Sequence, residues 1–428
     1  GPGDRERQRG CSSGRVMDRQ PRAPGYVRWV ARTLEAAGYE TWAVGGAIRN
    51  TLLGLPEGDW DMTTRAPPGV VRKLFRRTVP VGIEHGTVGV LTRDNLLLEV
   101  TTFRKDVETF GRHAVVEFAD TLEEDLARRD FTINAVAWHP FREEFQDPFD
   151  GRGDLRNRLL RTVGDPTRRF SEDYLRVLRA LRFSGRFSLR VEDATWKALV
   201  EATRHLPSLS AERIREELMK VLSQDDRPSG ALALYGASGA LDVLLPEVAA
   251  TLGVSRPGTR EDLFGHALLL TDLLPVSRPV LRLTALLHGV GVPEEPHRSN
   301  SVGGEVARER GAAVMIRLRY SNAHIRDVTE LLAAGLEPPL GIREAKGARR
   351  WLSRAGPHRL PDFGRIWLAK ARLDRLRWGT DPGPVLVLLG LLRRELFRRP
   401  PLRLEDLAVN GRDLIGMGLR PGPRFGEI

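Results

Sequence analysis

The sequence holds one cysteine, Cys11, in 428 residues. A lone thiol closes no internal disulfide, so no covalent staple supports the fold, and such usage suits a reducing compartment. Long apolar runs are lacking too. None approaches the roughly 20 residues that span a bilayer, and no charged-then-apolar signal opens the chain. A cytoplasmic protein without a membrane partner is expected. Acidic residues fall short of basic ones, 56 against 67, which leaves a formal charge of +11. That excess points to a polyanionic partner or to a GC-rich genome that favours arginine. For so long a chain, two to four domains are expected.

Residues 1–22 carry charge, Gly and Ser without periodicity. Gly1-Pro2 resembles the scar of a cleaved tag, and Met17 is a candidate natural start, so this leader is set apart from the fold. Order begins near Tyr26, where YVRWVARTLEAAG spaces its apolar residues at helical period and Gly38 stops it.

The next stretch, residues 44–66 (VGGAIRNTLLGLPEGDWDMTTRA), organises the chain. Gly45 and Gly46 let backbone N–H groups approach a triphosphate that no Cβ obstructs. Asp59 and Asp61 stand at i and i+2 on an expected strand, so they share a face while Trp60 points to the core. Two adjacent carboxylates repel unless a cation lies between them. The pair therefore suits one or two Mg²⁺ ions in an in-line phosphoryl displacement, or else it is a solvated strand end. Glu99, in LLLEVTTFR, is either a third carboxylate facing that site or one exposed acid. Residues 104–124 are polar and Gly-interrupted, which predicts a mobile loop followed by a strand.

At 128–135, RRDFTINA, Arg129 is placed to donate to phosphate and Asp130 to accept from a ribose hydroxyl. A local ion pair at a helix start is the alternative. Residues 168–187, RRFSEDYLRVLRALRFSGRF, read as one helix capped by Ser171, with Glu172 and Asp173 at its positive end. Asp173, Arg176, Arg179 and Arg182 then follow one face at steps of three. An acceptor beside a planar donor fork matches the Watson–Crick edge of C or A, an amine next to a ring acceptor. G and U would set a carbonyl against the carboxylate. A solvated helix of alternating charge has the same pattern.

Taken together, these segments resemble the class II branch of the polymerase β-type nucleotidyltransferases, the CCA-adding enzymes and bacterial poly(A) polymerases. The resemblance rests on GGAIRNTLLG with Asp59-Trp60-Asp61, on RRDFTINA, on DPFDGRGDLRNRLLRTVGDP, on EDYLR and on ERIREELMKVL. It implies an α+β fold: a polymerase β-type head with a mixed sheet and helices, then an all-α neck, body and tail. The expected divisions are 23–145 head, 146–222 neck, 223–345 body and 346–428 tail. It implies Mg²⁺ on Asp59 and Asp61, with tRNA as partner and CTP and ATP as substrates. Arg49 and Arg129 would assist phosphate and sugar binding, Asp173 and Arg176 would select the base, and Arg179 and Arg182 would face the triphosphate. Asp150, Gly151 and Asp154 are expected as turn formers and a cap.

CCA addition, addition of A alone and poly(A) tailing all fit these motifs. The segment at 104–118 argues against an enzyme adding C alone, although Phe110-Gly111-Arg112-His113 departs from the family's Asp-Gly-Arg-type core. LRLTALLHGVG, with His266 upstream, resembles an HD phosphohydrolase module whose His-Asp pair is broken, because Gly289 follows His288. Arg and Lys interleaved with Trp and Leu in residues 351–379 suit RNA backbone contact. The C-terminal NGRDLIGMGLRPGPRFG resembles a family segment that normally continues, so a truncated end is expected. A catalytically idle RNA-binding scaffold is the reading from another class, opposed by intact Asp59, Asp61, Asp173 and Arg176.

Overall fold

A computed structural model describes residues 19–82, 86–110, 113–255, 262–291, 300–402, 406 and 411–418. Cys11 and most of the leader, Arg112, His297 and the last ten residues lie outside them. The chain divides into two compact units, Gly1–Leu209 with Ser238–Ala240, and Ser210–Ala237 with Leu241–Ile428.

The first unit opens with α1 (Gly25–Ala36), which buries Val27, Val30, Ala31 and Leu34, one face at helical spacing. Its strands are β1 (Thr41–Val44), β2 (Asp61–Thr64), β3 (Thr78–Pro80), β4 (Thr87–Leu91), β5 (Leu97–Thr102), β6 (Arg104–Phe110), β7 (His113–Phe118), β8 (Ala137–Trp138), β9 (Phe145–Gln146), β10 (Leu159–Leu160) and β11 (Arg190–Val191). Helices α2 (Gly46–Leu52), α3 (Pro68–Leu74), α4 (Leu122–Ala127), α5 (Gly151–Arg156), α6 (Pro166–Glu172), α7 (Leu175–Phe187) and α8 (Asp193–Ala202) alternate with them. Seven strands form a mixed sheet in the order β3-β4-β5-β2-β1-β8-β9. β1 is buried along its whole length because β2 and β8 flank it. Trp42, Val44, Phe103, Leu122, Leu126, Ala137 and Val163 form one apolar cluster beneath it.

Residues 104–124 differ from expectation. β6 and β7 pair antiparallel as a separate two-stranded ribbon, with a register shift between Asp106 and Glu108. Their sequences, RKDVETF and HAVVEF, show no strict apolar alternation, so the segment reads as loop. At 147–156 the helix start is also rearranged. Asp147 accepts from the amides of Gly151 (2.7 Å) and Arg152 (2.9 Å), whereas Asp150 adopts a left-handed conformation and caps nothing with its side chain. A Cβ on Gly151 would lie 2.1 Å from the Thr132 carbonyl oxygen, so only glycine fits there.

The second unit is helical: α9 (Ala211–Gln224), α10 (Ser229–Ala237), α11 (Ala240–Leu244), α12 (Pro246–Ala249), α13 (Leu263–Leu273), α14 (Pro279–Leu287), α15 (Asn300–Arg317), α16 (Asn322–Ala334), α17 (Ala345–Ala355), α18 (Leu360–Trp378), α19 (Gly383–Phe397) and α20 (Gly411–Gly416). Among the described residues no helix is long and apolar enough to cross a membrane. Trp351, Phe363 and Trp367 pack edge-on or tilted within its core, with ring centroids 5.1–5.5 Å apart. These aromatics, expected among the RNA-facing residues, face inward, while Arg350, Arg354, Arg372 and Arg375 remain exposed.

Arg282, fully buried on α14, donates to the carbonyls of Leu222 (3.0 Å), Asp225 (2.6 Å) and Leu274 (2.9 Å). It thereby satisfies the C-terminal end of α9, whose last carbonyls lack intrahelical partners. Replacing Arg282 with Leu strands those acceptors in the core. Urea unfolding should show a loss of roughly 2–4 kcal/mol, the range for orphaned buried polar groups and broken buried charge networks. A loss under about 0.5 kcal/mol would show that the staple is dispensable.

Candidate active site

β1 ends at Val44 and turns at Gly45, whose φ of 77° lies where glycine is favoured, before α2 begins at Gly46. A Cβ on Gly45 would stand 3.4 Å from Asp61 Oδ2 and 3.9 Å from Arg129 Nη1. The bare backbone turn, a carboxylate and a guanidinium therefore converge on one spot.

Asp61 opens β2, in register with Val44 on β1 and with Glu99 on β5. Asp59 lies just before the strand and is exposed, and Trp60 between them is buried near Trp138. The strand expected to carry both acids begins only at Asp61, and Trp60 is buried between two less buried acids. Burial pushes the Asp61 carboxyl up to about 6; Glu99 and Asp59 push the same way, and Arg129 offsets part of it. Such a carboxylate gains from a cation, and a set of hard oxygen donors suits a divalent one. Asp59 and Asp61 would hold it, with Glu99 beside Asp61 across the strand pair. Among the described residues no three His, Cys, Asp or Glu are gathered into a ready-made metal cluster. The fold supplies a pair with a flanking acid, not a closed cage.

The arginines expected at phosphates are placed differently. Arg49 is buried, with its guanidinium 5.0 Å from the Phe183 ring centroid and 4.6 Å from that of Phe187. Its Nη1 donates to Asn134 Oδ1 at 2.7 Å. Burial, then Arg186, lowers its pKa to about 9, which leaves it charged at neutral pH. Arg182 is buried against Phe183, so it does not present an open face to a triphosphate. Arg179 grips Asp130 Oδ2 through Nε at 2.8 Å and Nη2 at 2.6 Å. Asp130 Oδ1 accepts from the Phe131 amide (2.8 Å) and Asn134 Nδ2 (2.9 Å). Burial alone would raise the Asp130 pKa, but Arg179 and the hydrogen bonds outweigh it and hold the group at about 2. Both oxygens being engaged, Asp130 serves as an internal anchor here and not as an open ribose acceptor. Arg129 stays nearer the turn: Asp125 holds its Nη2 at 3.3 Å and the Asn134 carbonyl its Nη1 at 3.4 Å.

The single helix expected over 168–187 is two. α6 is capped by Asp165, whose Oδ1 accepts from the Arg168 amide at 2.7 Å, and it ends at Glu172. Ser171 lies inside it and bonds back to the Arg168 carbonyl. Asp173 takes an extended conformation at the break, and its Oδ1 accepts from the Leu175 amide at 3.0 Å as α7 starts. Asp173 and Arg176 are therefore neighbours across a helix junction, not successive positions on one helix face. Arg176 donates to Glu172 and to the Arg169 carbonyl (2.8 Å).

A Poly A polymerase head domain model matches residues 41–161, and a model described as a probable RNA and SrmB-binding site of polymerase A matches 188–252. A CCA-adding enzyme of Limosilactobacillus fermentum is 32% identical over 406 residues, 94% of this chain and 89% of that protein. This chain belongs to the CCA-adding enzyme family. Another member, from Geobacillus stearothermophilus, is 33% identical over 399 residues, 92% of this chain and 88% of its own. The crystal structure of the Bacillus stearothermophilus CCA-adding enzyme in complex with CTP superposes with a TM-score of 0.67 at 30% identity, covering 94% of this chain and 89% of that one.

As a CCA-adding-family protein the chain is a nucleotidyltransferase, a class that works with a divalent metal. Its head also contains residues the sequence reading passed over. Asn134 links Arg49 to Asp130. Asp125, fully buried, holds Arg128 at 3.1 Å and Arg129 at 3.3 Å. The spacing of Asp125 to these arginines, i+3 and i+4, is the signal that points to it. In the second unit His288 Nδ1 lies 2.7 Å from the Ala285 carbonyl and its ring 5.6 Å from that of buried His266. Gly289 follows it, supplying no carboxylate.

The Asp61 shift carries a sign. Its folded pKa is raised, so the folded chain binds that proton more tightly than the unfolded chain does. Asp61 therefore costs stability as pH rises from about 4 through 6. In metal-free protein Asp61→Asn should stabilise the fold at pH 8, on the order of 2 kcal/mol. The gain should shrink steadily from pH 7 to pH 4, and added divalent metal should narrow it by stabilising the parent. Thermal melts across that range measure this; a gain independent of pH contradicts the crowding.

Proposed function

We propose that this chain completes tRNA 3′ ends by adding C, C and A from CTP and ATP, without a nucleic-acid template. The convergence of the Gly45 turn, Asp61 and Arg129 on one spot carries this reading. The 3′-hydroxyl oxygen attacks the α-phosphorus, the new O–P bond forms, and the bond to pyrophosphate breaks in line. Gly45 and Gly46 leave room for the phosphates, and Arg129 balances their charge. Mg²⁺ on Asp59 and Asp61 is the proposed metal; when bound it supplies charge neutralisation and a lowered hydroxyl pKa. Asp173 accepts from the exocyclic amine of C or A, and Arg176, aimed by Glu172, donates to the ring acceptor. The exposed arginines of α17 and α18 contact RNA backbone. We place the protein in the cytoplasm, and divide it into a head to 145, a neck to 222, a body to 345 and a tail.

A poly(A) polymerase is the second reading, favoured by the likeness of residues 41–161 to the Poly A polymerase head domain, and an enzyme adding only A is a third. Purified protein given tRNAs ending before CCA, in C and in CC, with labelled CTP or ATP, separates them. Stepwise growth that stops after CCA supports the proposal. Runs of A, or labelling of the CC end alone, would replace it. Asp59→Ala or Asp61→Ala should abolish addition while sparing tRNA binding; activity within tenfold of the parent removes that residue from the mechanism.

Base choice is tested separately. Bidentate recognition of a base is worth on the order of 1–3 kcal/mol, so Arg176→Ala should lower the CTP/UTP and ATP/GTP ratios of kcat/KM roughly ten- to hundredfold. Parental ratios at reduced rate would make Arg176 purely structural.

A further inference from the structure

Between the Gly45 turn and α7 lies a side chain that binds Arg49, just after the turn, and Asp130, the carboxylate that clamps Arg179 of α7. Asn134 accepts from Arg49 Nη1 through Oδ1 at 2.7 Å and donates to Asp130 Oδ1 through Nδ2 at 2.9 Å. Arg49 belongs to α2, directly after the glycine turn, and its Nη2 lies 3.7 Å from where a Gly46 Cβ would be. Asp130 in turn clamps Arg179 on α7, the helix that begins at the Asp173–Arg176 junction. The Asn134 carbonyl also accepts from Arg129 Nη1 at 3.4 Å.

We propose that Asn134 is a positioning residue for nucleotide transfer, its amide fixing α7, and with it the base-selecting junction, relative to the glycine turn and Asp61. It touches no substrate; it acts through Arg49, Asp130 and Arg179. This rests on the nucleotidyltransferase reading of the site.

The chemistry of the position restricts what can stand there. The group must accept from a guanidinium on one side and donate to a carboxylate on the other. A neutral amide does both, and only in one orientation, because the flipped amide sets N–H against N–H and oxygen against oxygen. An ionised carboxylate satisfies Arg49 but lacks the donor and repels Asp130. An aliphatic side chain leaves both charged partners facing it. Asn134 is buried, so water does not readily replace the lost bonds. The charged groups facing it are Arg49, Arg129 and Asp130, with Arg179 behind Asp130 and Arg182 and Arg186 near Arg49.

Asn134→Asp makes the requirement titratable. At pH 8 its carboxylate opposes Asp130. On acidification one proton enters the carboxylate pair, after which that side chain donates and accepts as the amide does. The experiment measures kcat and KM for CTP and ATP on tRNA ending before CCA and in CC, from pH 5.5 to 8.5, for the parent, Asn134→Asp and Asn134→Ala. Tm is recorded at each pH. Misplacement of a reacting assembly by about 1 Å costs on the order of a hundredfold. Asn134→Ala should therefore lose ten- to hundredfold in kcat/KM for both nucleotides at every pH, with tRNA affinity within about twofold. Asn134→Asp should show the same loss at pH 8 and regain most of it relative to the parent near pH 6. Its Tm deficit should shrink over the same interval. An Asn134→Ala enzyme within threefold of the parent, or an Asn134→Asp deficit constant with pH, overturns the proposal. A parent that adds no nucleotide sinks the nucleotidyltransferase reading instead; the bridge is then decided by Tm, and a pH-independent deficit for Asn134→Asp rejects it.

Discussion

A carboxylate buried among aromatics and arginines holds the catalytic unit in order. Asp130 is only 8% exposed, and an unpaired charge at such a site is costly enough to be expelled or protonated. Here Arg179, Asn134 and the Phe131 amide hold it ionised. Each partner is thereby fixed in place. Arg179 brings α7 with it, and α7 brings Phe183 and Phe187, the rings flanking Arg49. Losing Arg179 would leave Asp130 an uncompensated buried charge, and losing either neutral donor would leave one of its oxygens short of a hydrogen bond.

The same unit treats its acids in two opposite ways. Asp125 and Asp130 are matched by arginines and sit below the ordinary carboxylate range despite burial. Asp61 is partly buried too, but its neighbours are Glu99 and Asp59, with only Arg129 against them. Satisfied acids build scaffold, whereas a crowded one stores unfavourable charge that a divalent cation or a departing proton relieves. Environments that push equivalent groups apart mark where chemistry is done. The glycine turn beside Asp61 fits that role, since its φ of 77° strains any side chain and leaves bare backbone beside the carboxylate and Arg129.

Motif chemistry was legible because some of its geometry is local. Asp59, Trp60 and Asp61 alternate faces in any extended segment, and Gly45 marks a turn no other residue makes comfortably. Even the buried α1 face follows from its period. The misreadings share a cause. The sequence places Arg49, Arg182, Trp351 and Trp367 among ligand- or RNA-facing residues because arginine and tryptophan serve both surfaces and interiors. Their inward orientation depends on partners the fold brings from elsewhere in the chain, Asn134 for Arg49 and a core cluster that includes Leu270, Leu281 and Leu331 for the two tryptophans. The break at Asp173 is similar. Residues 168–187 contain no Pro or internal Gly before 185, so helical period alone gives no reason to stop.

The sequence by itself determined the α+β head, the helical remainder, the glycine turn and the acid pair, since period, turn chemistry and alternation act over a few residues. The tertiary structure decided which charges are spent internally. A carboxylate's role as ligand or anchor depends on what approaches it from distant segments. Only the fold brings Arg179 onto Asp130 and Arg49 onto Asn134, while setting Glu99 beside Asp61, where Arg129 compensates only in part. Electrostatic energy in a poorly solvated interior depends on separations in space, and the fold alone sets those separations.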